Sequence, residues 1–406
     1  MLTGTNLTYT KAYNFRIVFE TIRLNGPISR ADVARRTNLT AQTVSNIVNR
    51  LLERNFILEG SKLQKQRGAP STNLFVNPDG AYSVGIDFNR DHLTGILVDL
   101  AGNVKTKYFY EVDSPYPEEA VKLIADTAHQ LTDNRTVKES HFCGVGIGLP
   151  GPLEINEKNE VSNFINPKAF PHWNNVPIGE MIKKQVNTSV FIENNASAAT
   201  IGELWYGAGK NKSNFLYVFL GAGLGGGLVV NGNIYEGSNR NAGELGFFPY
   251  FAEKSPLSFS DEPHVGEHFN LYHLYKWLKE NGVNANRPED LGSLFDDKSP
   301  AFMEWLDKGK SYLTPVLLFA EYFVDMETII LGGRLPSSII ENMVNSLPNL
   351  MSKARNEMKT TGPEILVGTA GPDAAALGAA TLPMFDLFSA QTEILMKTTK
   401  NGNGAT

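Results

Sequence analysis

One cysteine, Cys143, stands among 406 residues. Its solitude excludes intramolecular disulfides and any zinc site built on a cluster of thiolates. It lies in the apolar run HFCGVGIGL, which reads as a buried strand with a structural thiol. Long hydrophobic stretches are missing too: no run reaches the roughly 18 apolar residues of a membrane span. The N-terminus lacks the charged, then apolar, then small-residue order of a secretory signal. The expectation is a cytoplasmic chain with no membrane segment. Compositional bias is also absent, with 42% hydrophobic residues, 20% charged residues and a net charge of −6. Such a chain is a soluble globular protein, and its length exceeds one ordinary core, so two or three domains are expected.

Charge is unevenly placed along the chain. Residues 1–80 carry 11 Lys and Arg against 5 Asp and Glu, whereas the remaining 326 carry 26 against 38. A basic head on an acidic body suggests that the head meets a polyanion. Local punctuation in ISRADVARRTNLTAQTVSNIVNRLLERNFILEG (28–60) agrees. Ser29 with Asp32 three residues on suits a helix N-terminus. The short helix ends near Thr37, Asn38 suits a left-handed turn residue, and Thr40 can cap the next helix. Within it Val44, Ile47, Val48, Leu51 and Leu52 fall on one buried face. Two short helices across a tight turn make a helix-turn-helix, whose second helix reads the major groove from its N-terminal end. On the opposite face, Thr40 and Ala41 begin the helix. Gln42 and Asn46 suit base edges, Thr43 and Ser45 phosphates or bases, and Arg50 backbone phosphate. FILEG (56–60) and NLFVN (73–77) read as two strands of a wing. Between them Lys62, Lys65 and Arg67 would meet phosphates, and Arg67–Gly68 can enter a minor groove. The competing reading is a small helical bundle with a solvated polar face.

From residue 82 the pattern turns to strands. YSVGIDF, LTGILVD and VKTKYFYE, joined at NRDH and LAGN, form an antiparallel meander, followed by a helix over about 117–133 and the strand around Cys143. The plan recurs as NFLYVFL, LVVNG and NIYEG around the turn GAGLGGG, with a further strand ETIIL before Gly332–Gly333. Two similar α/β halves in tandem imply a cleft between them, the usual place for a ligand.

These residues resemble the ROK family of sugar kinases and sugar-responsive repressors. The stretches that carry the resemblance are GIDFNRDHLTGILVDLAGNV (85–104), GVGIGLPGPLE (144–154), ENNASAATIGELWYGAG (193–209), FLGAGLGGGLVVNGNIYEGSNRNAGELG (219–246), ETIILGGRL (327–335) and GPDAAALGAATLPMFDLFS (371–389). With the winged head, the resemblance spans nearly the whole chain. It implies an α/β fold: a winged helix-turn-helix over 1–80, then a two-lobed actin-like (ribonuclease H-like) body. Lobe 1 would cover 81–194, with a C-terminal helix near 373–390 packing back on it, lobe 2 would cover 195–372, and 391–406 would be a flexible tail.

The departures from the kinases are specific. The family's kinases follow the first Asp with a glycine-rich phosphate turn, where this chain has Asp87 followed by Phe88-Asn89-Arg90-Asp91. Bulky side chains and an added carboxylate there are expected to oppose nucleotide phosphates. The second glycine turn, Gly221 to Gly227, reads as a tight turn between strands. The kinases' catalytic base is an Asp at the position of Asn195, and an amide cannot take a proton from a sugar hydroxyl. Glu244 matches a sugar-contacting Glu, Gly151 lies in the matching glycine-proline turn, and Asn194 and Asn195 retain hydrogen-bonding capacity. Phe247 stands where the family has a His, and Glu267 corresponds loosely to a further sugar-contacting Glu. The family's structural zinc uses that His and three cysteines; with none of the four here no metal is expected, and the amide at Asn195 with the crowded phosphate turn leaves no cofactor or catalytic residue expected. HVGEH (264–268) formally matches a zinc-protease pattern but begins in a polar loop beside Pro263, so solvated or cleft-lining histidines are expected. Trp173 suits either a sugar platform or packing. The resulting expectation is a repressor that binds operator DNA as a homodimer or homotetramer, controlled by a small carbohydrate in the cleft. The alternative is an ATP-dependent sugar kinase with a DNA-binding head.

Overall fold

The computed structural model describes residues 5–63, 71–133, 141–156, 161–164, 170, 172–173, 175–249, 264–355, 361–390 and 395. Arg67 and Gly68, most of the loop after Phe248 and nearly all of the tail lie outside the described residues.

The head opens with a helix that the sequence reading did not assign, α1 (Leu7–Asn25), capped by the side chain of Asn6. After it come β1 (Ile28–Ser29), α2 (Arg30–Thr37), α3 (Ala41–Glu53), β2 (Ile57–Leu63) and β3 (Ser71–Val76). Ser29 caps α2, and Asn38 closes it at φ 55°. Thr40 accepts from the Thr43 amide to start α3. The wing has three strands rather than two, because β1 pairs with β3 on the side away from β2. Val18, Ile22, Val33, Val44, Val48, Leu51 and Leu74 are fully buried and form the head's core, and Phe19 is buried against Phe388 of the body.

Lobe 1 comprises β4 (Tyr82–Phe88), β5 (His92–Asp99), β6 (Val104–Glu111), α4 (Pro117–Thr132), β7 (Phe142–Leu149), β8 (Leu153–Ile155), β9 (Val161–Phe164), α5 (Ile178–Gln185) and β10 (Val190–Asn194). Lobe 2 follows with α6 (Asn195–Tyr206), β11 (Phe215–Leu220), β12 (Leu224–Val230), β13 (Asn233–Ile234), α7 (Val265–His268), α8 (Leu271–Glu280), α9 (Leu291–Asp296), α10 (Pro300–Val324), β14 (Thr328–Gly333), α11 (Ser337–Ala354) and β15 (Glu364–Val367). The chain then enters α12 (Ala374–Phe388). The two main sheets share one topology. Each is an antiparallel meander whose first strand is extended by two parallel strands, in the orders β6-β5-β4-β7-β10 and β13-β12-β11-β14-β15.

Two helices occupy the space where the lobes meet. α12 lies on β4 and β7, where glycines leave room for its backbone: a Cβ on Gly85 would stand 2.0 Å from the Ala376 carbonyl, and one on Gly146 closer still to that of Ala379. α6 crosses α12 with equal intimacy, since a Cβ on Gly378 would overlap the Ala198 carbonyl. Cys143 is half-buried, and desolvation pushes its thiol up to about 11, so it is an unreactive packing residue.

Candidate ligand cleft and nucleic-acid interface

β10 runs directly into α6, and the junction places two amides at the head of the cleft. Asn194 is the N-cap of α6: its Oδ1 accepts from the amides of Ala196 at 2.7 Å and Ser197 at 3.4 Å. With its oxygen committed to the helix, its Nδ2 donates to Glu244 Oε1 at 3.0 Å. Gly151 presses against this pair, because a Cβ there would lie 2.0 Å from Asn194 Nδ2 and 2.6 Å from Glu244 Oε1. Asn195 is the first residue of α6, buried beside Gly148. Gly151, Asn194, Asn195 and Glu244 are thus gathered at one corner.

Three polar residues of one lobe-2 segment tie that corner shut. Arg240 forms an ion pair with buried Glu193. Asn241 grips Leu153, accepting from its amide at 3.1 Å and donating to its carbonyl at 3.0 Å. Glu244 completes the set through Asn194. Desolvation pushes the Glu244 carboxyl up to about 7, so near neutrality it exchanges between a hydrogen-bond donor and an ionised acceptor. An amide and a carboxyl side by side suit a polyhydroxylated ligand.

Phe247 and Glu267 are more peripheral. Phe247 is 44% exposed, its ring 5.7 Å from that of His264, and Glu267 is exposed on α7. The segments that carry them meet where the Val265 amide donates to the Phe248 carbonyl at 3.0 Å. α7 spans only four residues, too short for the long helix that the H-x-x-E-H pattern needs. His268 instead stands 5.8 Å, ring to ring, from both His273 and Tyr312. Among the described residues no group of three or more His, Cys, Asp and Glu is placed to hold a metal.

The corner that the resemblance assigns to nucleotide phosphates holds a network of side chains. His92 Nε2 lies 3.2 Å from Asp87 Oδ2, and its Nδ1 lies 2.7 Å from Asp91 Oδ1. From lobe 2, Arg334 reaches across to donate to Asp91 Oδ2 at 3.0 Å and approaches His92 Nδ1 at 2.8 Å. Burial, the largest single effect, lowers the His92 pKa, but hydrogen bonds from the ring to Asp87 and Asp91 and the charge of those carboxylates outweigh it and hold the ring above its ordinary value. Asp91 is held below the carboxylate range by His92 and Arg334, against burial. Arg90 adds a second crossing, its guanidinium 4.6 Å from the ring centre of Tyr272 on α8.

One expectation is corrected here, for Phe88, and one open alternative is decided, for Trp173. Phe88 does not crowd the turn; it is fully buried in lobe 1 and stacks on Trp173 at 5.4 Å. Trp173 is a packing residue rather than a sugar platform, 2% exposed, its indole donating to the Pro115 carbonyl at 2.9 Å. The extra carboxylate of Asp91 is not a bare charge either, since Arg334 matches it. Occupancy by His92 and Arg334, neither singled out from the sequence, is what fills this corner. The signal was present as a charged turn, NRDH, and an arginine directly after Gly332–Gly333. The glycine turn is shorter than expected: it is confined to Gly221–Gly223, with the Gly221 amide donating to the Gly223 carbonyl at 2.9 Å, while Gly225, Gly226 and Gly227 lie in β12 paired with β11.

On the head, Ala41, Gln42, Asn46 and Arg50 are exposed along α3, with Thr43 and Ser45 half-buried beside them. Gln42 donates to Asn46 at 3.0 Å, so the two amides form one paired surface. Arg50 lies 5.5 Å from the ring centre of Phe15 on α1, which steadies its guanidinium while leaving it exposed.

Fold and site define a winged-helix head of DNA-binding type carried on a duplicated, sugar-kinase-like body. Residues 83–260 match the ROK family and residues 5–67 the MarR family. Over those residues the body is similar to the ROK family and the head to the MarR family. The chain is 28% identical over 388 residues to the xylose repressor of Bacillus spizizenii, covering 92% of this chain and 96% of that one. It is 36% identical over 164 residues to the glucokinase of Thermotoga maritima, covering 40% of this chain and 49% of the enzyme. A crystal structure of a ROK family transcriptional regulator, a homolog of the Escherichia coli MLC protein, superimposes with a TM-score of 0.72 at 18% identity. That match covers 95% of this chain and 99% of that one.

Proposed function

We propose that this chain is a transcriptional repressor whose operator affinity is set by a sugar or sugar derivative bound at Gly151, Asn194, Asn195 and Glu244, with Phe247 and Glu267 shaping the outer part of the site, and that it does not phosphorylate that sugar. The observation that carries this reading is the contrast between the two corners of the cleft. The sugar corner keeps convergent polar groups, whereas the phosphate corner is filled by the Asp87–His92–Asp91–Arg334 network. The near full-length similarity to a xylose repressor supports the same reading. In operation, α3 would read base edges through Gln42 and Asn46, with Thr40, Thr43, Ser45, Arg50, Arg67 and Gly68 on or beside the phosphate backbone. Two heads of a homodimer would engage two half-sites, whose spacing decides affinity. Sugar binding between the lobes changes that spacing and releases the operator.

The test measures calorimetric binding of D-xylose, D-glucose, N-acetyl-D-glucosamine and their phosphorylated forms, each with and without Mg-ATP. It uses the natural chain and Asn195→Asp. The expected result is binding of one sugar, no binding of Mg-ATP and no ADP formation by either protein. Restoring a base supplies about 10²–10⁴-fold at most, and it cannot act where no phosphate fits. Sugar-dependent ADP formation by the natural chain would return the kinase reading to first place. Operator binding with no response to any sugar would point to control by a protein partner.

A further inference from the structure

We infer that Arg23 and Arg16 of α1 couple the sugar cleft to the DNA-binding head, an inference that rests on the function proposed above. α6 spans the distance between the two sites. It begins with Asn194 and Asn195 at the cleft and ends in the turn that contains Trp205, a length of about 18 Å at 1.5 Å per residue. At that far end Arg23 donates to the Trp205 carbonyl at 2.6 Å. Its guanidinium also lies 4.5 Å from the centre of the Trp205 ring, and Glu20 holds it through Nε at 2.9 Å and a second contact at 2.5 Å. Arg23 is 9% exposed, so this is a buried joint and not a surface contact.

The second contact falls two turns earlier on the same face of α1. Arg16 donates to the carbonyl of Ser389, the C-cap of α12, at 3.1 Å. Between the two arginines Phe19 stacks on Phe388 at 4.4 Å, and Phe56 meets the same ring edge-on at 4.8 Å. α1 therefore grips the C-terminal ends of both interlobe helices. Carbonyls of a last helical turn lack partners inside the helix, and a cation there is favoured by the helix dipole.

The connecting parts are stiff. α6 and α12 touch backbone to backbone at Gly378 and Ala198, and again at Gly202, where a Cβ would stand 2.9 Å from the Ala374 carbonyl. Buried Glu203 accepts from the amides of Ala208 at 2.8 Å, Thr369 at 3.2 Å and Ala370 at 2.9 Å. It thereby locks the last turn of α6 to the segment that leads into α12. A sugar that competes for Asn194 or Glu244 displaces the cap of α6. The helix pair carries that displacement as one body to the Trp205 and Ser389 carbonyls, and α1 turns the head.

The experiment uses the full chain, Arg23→Met, Arg16→Met and Arg23→Lys. Its DNA is a duplex selected from a random pool by the natural protein, and its ligand is whichever of D-xylose, D-glucose or N-acetyl-D-glucosamine binds. Sugar affinity, DNA affinity with and without saturating sugar, and hydrogen exchange of α1 are measured at one salt concentration. In the natural chain, sugar is expected to change DNA affinity about 5-fold or more and to alter exchange in α1. Arg23→Met should bind sugar with unchanged affinity yet lose both responses, Arg16→Met should lose part of them, and Arg23→Lys should recover part. A folded Arg23→Met that binds sugar and keeps the full response would overturn the inference, as would sugar binding to the natural chain with no change in α1. If no sugar binds the natural chain, the proposed function itself fails, and this inference falls with it.

Discussion

Replacing Glu244 with glutamine keeps the shape of the side chain and removes its charge, and the structure sets the size of the effect. Burial raises this carboxyl from its ordinary 4.5 to about 7 in the folded chain. A carboxyl whose folded pKa lies above its unfolded one takes up a proton on folding within that window. The stability it contributes is therefore full below 4.5 and is lost as pH rises through about 7. At 1.36 kcal/mol per unit the difference reaches about 3 kcal/mol, an upper bound because solvent reaches part of the half-buried side chain. Glutamine carries no such dependence. Urea unfolding from acid to pH 8 should therefore show the variant gaining on the natural chain by up to about 3 kcal/mol as pH rises. Sugar binding should respond in the opposite sense. The ionised carboxylate is the stronger acceptor, so affinity in the natural chain should rise through neutrality. The variant should bind more weakly by about 1.5–3 kcal/mol and without that rise. Parallel pH profiles for the two proteins, in unfolding and in sugar binding alike, would refute both the burial of this carboxyl and its contact with the ligand.

Two further outcomes follow from other parts of the molecule. Gly378→Ala puts a methyl into the Ala198 carbonyl, so thermal unfolding should show a loss of about 3 kcal/mol, the upper end of the overpacking range; a near-neutral effect would mean that α6 and α12 can separate at no cost. Gln42→Ala and Asn46→Ala should each weaken operator binding by about 1–3 kcal/mol with an unchanged salt slope, measured by fluorescence anisotropy against matched and mismatched duplexes. A uniform loss across all sequences would assign these amides to phosphates instead.

The parts of the fold that were legible in the sequence were those written in local chemistry. Ser29, Asn38 and Thr40 announce the ends of α2 and α3 through side-chain caps and a left-handed turn, and each residue governs only its own few neighbours. The two meanders were legible because alternating apolar runs broken at NRDH, LAGN and GAGLGGG leave few other pairings. α1 was missed because its apolar residues serve two masters. Val18 and Ile22 face the head's core, Arg16, Phe19 and Arg23 face the body, and the stripe is too blurred to mark one buried face. In the cleft, Asn194, Asn195, Gly151 and Glu244 were found through resemblance, since no local pattern links residues 50 apart. His92 and Arg334 escaped because their roles exist only once β4, β5 and β14 converge from opposite lobes. Phe88 was misjudged for a related reason: on a strand one residue's shift in facing separates a blocked turn from a packed core, and only the sheet decides it.

The filled phosphate corner bears on regulation as well as on chemistry. In an enzyme of this design the nucleotide would supply part of the attraction that holds the lobes together. Here the protein supplies it, through Arg334 on Asp91, Arg240 on Glu193 and Asn241 on Leu153. A ligand shifts such an equilibrium only by its differential affinity for the two states, and its apparent affinity is reduced by the fraction of molecules not competent to bind. These ties are therefore the set-point of the sensor. If they were much stronger than the sugar's differential affinity, the head would stay in one pose whatever the sugar concentration. If they were absent, the sugar would have to order the cleft as well as fill it. The ties share one construction, a charged or amide side chain from lobe 2 reaching into lobe 1, and each can be weakened alone. On the proposed reading, such a sensor differs little in architecture from a kinase-like body: an amide at Asn195, the side chains of His92 and Arg334 at the phosphate corner, and α1 resting on the far ends of two helices.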